Sequence, residues 1–142
     1  MSDFSSNFPQ DLFLVTVKFT KQTETGEFKR VSEPFLIRAV TFGDAETKAF
    51  KYLDEQKIIG DIYVTAMKKE NFNDLILNGS ESFFKIGVTY LSTDDKKIKA
   101  VFLVEAEMLE QANMFLTEYL KNNNYHEFET VNASLTPIKA VV

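Results

Sequence analysis

The sequence predicts an α+β domain: two tandem strand-strand-helix-strand repeats forming a mostly antiparallel sheet packed with two helices, with pseudo-two-fold symmetry. Two observations predict it. The apolar period switches between two and about 3.6 in the same order twice along the chain. In addition, FLIRAVTFGDAETKAFKYLDEQ over 35–56 has the same design as FLVEAEMLEQANMFLTEYLK over 102–121. The register that sets Ala45 on Ala112 also sets Phe35 on Phe102, Ile37 on Val104 and Ala39 on Ala106. It continues into the helices, with Tyr52 on Tyr119 and Leu53 on Leu120. Strands outnumber helices, and each repeat opens with a hairpin. Helices lying over an antiparallel sheet satisfy that pattern.

The 142 residues suit one domain, with a flexible arm over 1–10, a first repeat over 11–69 and a second over 83–142. Within the arm, Phe4 and Phe8 are the apolar points. Residues 12–20 alternate, setting Phe13, Val15, Val17 and Phe19 on one face of a strand. A polar turn closed by Gly26 returns the chain antiparallel as a long hairpin. Pro34, which lacks a ladder donor, predicts an edge position, bulge or break before the strand resumes over 35–40. Thr41 is the expected N-cap, with Asp44 in the acidic role of a capping box. Phe42, Ala45, Ala49, Tyr52 and Leu53 then form one helical stripe, and Gly60 marks the exit. Residues 61–68 form a strand with Ile62, Val64 and Ala66 inward.

Residues 69–82 read as a connector with an apolar patch at Leu75-Ile76-Leu77. Phe84, Ile86, Val88 and Tyr90 then alternate, and Ser92-Thr93-Asp94-Asp95 makes a shorter hairpin turn. The return strand spans 96–106. The second helix spans 107–122, with Leu109, Ala112, Leu116, Tyr119 and Leu120 on its stripe. Asn122-Asn123-Asn124 ends it, since asparagine tolerates the left-handed conformation. A last strand over 126–132 follows, and the tail over 135–142 is suited to a sheet edge.

Composition narrows the function. Sixteen basic against twenty-one acidic residues give a formal charge of −5, which argues against coating duplex DNA by bulk positive charge. There is no cysteine, so neither disulfides nor thiolate metal sites are expected. The first residues lack a basic, apolar leader, and no apolar run nears the roughly 18 residues that span a bilayer. A soluble, cytoplasmic protein without a membrane partner is expected.

Catalytic motifs are absent. His126, the one histidine, begins a strand beside Tyr125 and Glu127, with no nucleophile or orienting partner near it in sequence. Asp94-Asp95 lies in a turn without calcium-loop spacing. Glu107 and Glu110 sit where a helix dipole favours acids. The glycines at 26, 43, 60, 79 and 87 are scattered, so no phosphate loop forms. No catalytic residue, metal or cofactor is expected.

The remaining signal is basic residues interleaved with aromatics on strands and turns. Lys18 lies on the first strand, and Phe28, Lys29, Arg30 and Arg38 on its partner. Phe72 follows the first repeat, while Tyr90, Lys97 and Lys99 belong to the second hairpin. Cations that track phosphates, with rings that stack on bases, are how single strands are bound without sequence preference. Lysines on exposed strands also simply discourage edge pairing, and Phe or Tyr in phase with Val is ordinarily core.

FLVTVKFTKQTETGEFKRVSEPFLIRAVTFGDAETK, DIYVTAMKK and ASLTPIKAVV together resemble an uncharacterised family of small proteins encoded by Bacteroidota and their phages, including crAss-like phages. The shared patterns are V-x-V-x-[FY], S-E-P-[FY]-L, an A-E-x helix start and a T-P-I ending. The resemblance implies a small cytoplasmic protein encoded near replication functions and transfers no catalytic residue. The expected function is therefore non-catalytic, sequence-tolerant binding of single-stranded DNA. The alternative is a homo-oligomeric accessory module that binds a protein or a small ligand, using the Phe4 and Phe8 arm or the apolar C-terminus.

Overall fold

The computed structural model describes residues 10–56, 58 and 60–142. Apart from Gln10, the expected arm with Phe4 and Phe8 lies outside the described residues. In chain order the elements are β1 (Asp11–Gln22), β2 (Phe28–Ala39), α1 (Phe42–Glu55), β3 (Tyr63–Glu70), β4 (Asp74–Ile76), β5 (Ser82–Leu91), β6 (Lys97–Ala106), α2 (Leu109–Asn122), β7 (His126–Leu135) and β8 (Ala140–Val141). The class is α+β and pairing is mostly antiparallel, as expected. The strands form two four-stranded sheets, ordered β3-β1-β2-β8 and β4-β6-β5-β7, where a single sheet was expected. They belong to two compact units: the first runs to Glu70 and takes in Ile138–Val142, and the second is Asn71–Pro137.

In the first unit Phe13, Val15, Val17, Phe19, Phe35, Ile37 and Ala39 lie on the sheet face that receives Ala45, Ala49 and Leu53 of α1. Spacings of four put those three helical residues in one line, which is why the helix seats on the sheet. Phe42 packs edge-on against Phe13 at 4.9 Å yet remains 45% exposed at the margin of the stripe. Thr41 is extended and accepts from Asp44 N, while Asp44 Oδ2 accepts from Val40 N at 3.0 Å. The acid therefore reaches one residue further back than in an ideal capping box. Pro34 sits inside β2 on its edge side: its carbonyl accepts from Lys139 N, and ladder pairing with β8 begins only at Phe35. N–H and C=O of one strand residue point the same way, so the missing donor faces the sparsely paired side.

One inward expectation is corrected. Pairing passes from Thr16–Ala66 to Val17–Val64, which leaves Thr65 as a bulge. The bulge advances the alternation by one residue, so Met67 joins the core and Ala66 turns outward. The tail strand is as expected, with β8 parallel to β2.

The second unit packs Phe84, Ile86, Val88, Ala100, Phe102, Val104 and Ala106 against Ala112, Leu116 and Leu120 of α2. The helix starts at Leu109, two residues later than the sequence suggests, because Met108 takes the extended N-cap conformation. Its far end closes as a Schellman motif. Tyr125 N donates to Leu120 O, Asn124 N donates to Lys121 O, and Asn124 adopts φ +61. The connector contributes β4, a strand unannounced in the sequence, parallel to β6.

The two hairpin turns prove alike in length, contrary to the shorter second turn expected. Thr23 N donates to Glu27 O and Gly26 N to Thr23 O; Ser92 N donates to Lys96 O and Asp95 N to Ser92 O. Gly26 takes φ +87 and Asp95 φ +58 at the matching place. Glycine enters that region without steric cost, so Asp95→Gly is expected to raise stability by roughly 0.5 kcal/mol in urea denaturation. A loss of stability would mean that the Asp95 side chain contributes more than its strained backbone costs.

Thr89 is the buried polar residue among the described residues, 6% exposed on the face away from α2, between its register partners Lys99 and Glu129. Its hydroxyl has no hydrogen-bond partner among the described residues. Thr89→Val keeps the shape and removes the unsatisfied group, so a gain of about 1 kcal/mol is expected from the denaturation midpoint. An unchanged or lower midpoint would refute that account.

Candidate nucleic-acid interface

Which residues share the face of the first sheet away from α1 follows from register, because directly paired residues share a face. Lys18 pairs with Ser32 and with Tyr63, Thr20 with Arg30, and Gln22 with Phe28. All lie opposite the face that α1 covers. Arg30 reaches across β1: its Nη1 donates to Thr20 Oγ1 at 3.2 Å and to Asp61 O at 3.3 Å. Its guanidinium lies 5.4 Å from the Tyr63 ring centroid, and Tyr63 donates its hydroxyl to Asp61 Oδ2. Arg30 is thus held over a ring, with Lys18 on the same face. Tyr63 and Phe28 remain 53% and 65% exposed. A fixed cation, a neighbouring lysine and two accessible rings make a basic-aromatic patch at the hairpin end of the sheet.

The other expected residues distribute differently. Arg38 shares that face but lies eight positions along β2 from Arg30, roughly 26 Å at about 3.3 Å per residue, with the fully buried Leu36 between them. Lys29 pairs with Lys21 and points to the opposite face, where Lys21 is 3.4 Å from Glu33. Lys68 shares the face away from α1 and is bridged to Glu70 at 3.1 Å. Tyr63 was missed among the site residues, although the alternation of Ile62 and Val64 inward left it outward. What the sequence did not show was the β1–β3 register that sets it beside Lys18.

In the second unit Lys97 and Lys99 face away from α2, as does Lys85, whose Nζ lies 6.0 Å from the Phe72 ring centroid. Tyr90 points the other way and packs edge-on against Tyr125 at 4.7 Å. That contact uses Tyr90 for packing, not as an open stacking platform. Phe102, Tyr119 and Tyr125 continue the same ring cluster. Burial raises the Tyr119 hydroxyl pKa well above that of an ordinary tyrosine, and its hydrogen bond to the Asp74 carboxylate adds to the rise. Tyr125 is raised as well, chiefly by burial and then by Tyr90 and Asp74.

Among the described residues no group of histidine, aspartate and glutamate side chains is placed to hold a metal ion. No helix among them is long and apolar enough to cross a membrane. The architecture is that of a small α+β protein with two helix-backed sheets, the first of which bears a basic-aromatic face. The chain belongs to the family described as Domain of unknown function (DUF4494), whose model matches residues 11–142. Comparison with curated proteins and with solved structures found no match to either.

Proposed function

We propose that this protein is a non-catalytic, sequence-tolerant binder of single-stranded DNA. The supporting observation is the Arg30–Tyr63 stack with Lys18 and the exposed Phe28 on one face of the first sheet. Lys18 and Arg30 neutralise phosphates of the strand, while the free side of Tyr63 and the ring of Phe28 stack on successive bases. Lys97 and Lys99 form a second basic strip on their own sheet, and Arg38 is a separate cation beyond the fully buried Leu36. The resemblance to proteins of Bacteroidota and their phages supports a cytoplasmic role beside replication.

The test is fluorescence anisotropy of a labelled oligothymidine at low and high salt, with unlabelled duplex as competitor. Tight, salt-sensitive binding that duplex does not displace is expected. The double change Lys18→Ala with Arg30→Ala should weaken binding by about tenfold. It should also flatten the salt slope by about 1.4, since two phosphate contacts on a single strand are lost. Lys29→Ala, on the other face, should change little by comparison. No rise in anisotropy at micromolar protein would retire the proposal.

A second reading is a homo-oligomeric binding module. It is favoured by β7, a sheet-edge strand that leaves Val131 and Leu135 55% and 64% exposed. Light scattering decides it: a monomer at all concentrations sinks this reading.

A further inference from the structure

The first unit contains a pocket of about 510 Å³ between the hairpin end of its sheet and the end of α1. Phe19, Phe28, Phe35, Tyr52 and Ile58 belong to its apolar lining, and Lys21, Lys139 and Glu33 are its charged lining. Its volume falls in the range of small-molecule sites, which join an apolar wall to a few orienting polar groups.

The second unit shows what suits this space. Ile58 N donates to Leu53 O, as Tyr125 N donates to Leu120 O, so both residues occupy the same station after their helices. Phe35 and Tyr52 stand 5.4 Å apart by ring centroids, as Phe102 and Tyr119 stand 5.7 Å apart. In the second unit the Tyr125 ring packs into this corner, 6.1 Å from Phe102 and 6.4 Å from Tyr119. In the first unit the corresponding side chain is isoleucine, so among the described residues no ring stands at the Tyr125 station, and the rings around the pocket are Phe19, Phe28, Phe35 and Tyr52. Lys21 is already ion-paired with Glu33, whereas Lys139 has no ion pair among the described residues.

We infer that this pocket binds a small aromatic anion. Its ring lies against Phe35 and Tyr52, in the place that Tyr125 takes in the second unit. Its carboxylate or phosphate faces Lys139. The pocket and the nucleic-acid patch share Phe28 and Thr20, but Lys18, Arg30 and Tyr63 do not line the pocket, so removing those two cations separates the two readings.

The test is isothermal titration of the full-length protein with indole-3-acetate and, separately, thymidine 5′-monophosphate, with neutral indole as the uncharged control. At least one anion should bind with Kd below about 1 mM, and more tightly than indole. Which of the two binds decides between a carboxylate and a phosphate ligand. Ile58→Tyr, which places in this corner the ring the second unit already accommodates, should abolish binding with an unchanged circular-dichroism spectrum. Lys139→Gln, on an exposed side chain, should weaken the anion about fivefold and leave indole unaffected. Lys18→Ala with Arg30→Ala should have no effect. The inference is overturned if neither anion binds at millimolar concentration, or if Lys139→Gln binds the anion as the unmodified protein does. Undiminished binding by a folded Ile58→Tyr protein overturns it equally.

Discussion

Phe102→Ala is expected to destabilise the second unit by about 3–5 kcal/mol, enough to abolish most of the stability of a typical domain. Phe102 is fully buried, paired with Asp74 on one side and Ile86 on the other, and its ring meets both Tyr119 and Tyr125. Truncation removes a large apolar group and strips two aromatic partners of their edge-to-face contact. The close-packed strands on both sides limit how far the cavity can collapse. Guanidinium denaturation followed by tyrosine fluorescence measures the loss. Phe28→Ala is the matched control: its ring is 65% exposed, so the change should stay within about 0.5 kcal/mol. A Phe102→Ala loss below about 1 kcal/mol would mean that the ring cluster does not hold this unit together.

Asp74→Ala is expected to cost about 1–2 kcal/mol and to change how the protein responds to alkali. The carboxylate accepts the Tyr119 hydroxyl, and a hydrogen bond to a charged group is worth more than a neutral one, reduced here because Asp74 is exposed. The sign of the pH effect follows from the raised pKa of Tyr119. Its folded-state value lies above the unfolded one, so this contribution is complete below about pH 10. It is lost as pH rises through the folded value. Spectrophotometric titration of the five tyrosines should therefore show two that ionise late, Tyr119 and Tyr125. Asp74→Ala should move Tyr119 toward the ordinary range, because a hydrogen bond and a negative charge that oppose ionisation are gone. If all five tyrosines titrate together in the folded protein, the Tyr119–Asp74 contact does not exist in solution.

The helices and hairpins were legible because their signals are long. Ala45, Ala49 and Leu53 recur at helical spacing over a stripe that the sheet must cover, and they are the buried residues of α1. Pro34 and Thr41 announce themselves through chemistry that only certain backbone positions tolerate. The failures come from short or non-local features. Three residues, Asp74–Ile76, are too few to show a period, so β4 emerges only from its pairing with β6. The bulge at Thr65 depends on β1–β3 pairing and leaves no mark in the alternation itself. For the site, the cations and rings could be seen but not their sidedness. Lys29 and Arg30 are neighbours in sequence and therefore face opposite ways. The Arg30–Tyr63 stack spans three strands, a distance over which local pattern carries no information.

The first sheet closes on β8, which follows every residue of the second unit in the chain. On the ribosome, β1, β2, α1 and β3 emerge long before the segment that covers the Phe35–Leu36 edge of β2 exists. During that interval the nascent first unit presents a bare strand edge next to a proline. Pro34 then acts as a sentinel, because a strand that strays onto that edge finds no donor at its centre. The native segment asks Pro34 only for its carbonyl, which accepts from Lys139 N, and so loses nothing to the missing donor. Synthesis order thus makes the last few residues of the fold its finishing clasp, and their arrival is the step at which the first unit becomes safe from its neighbours.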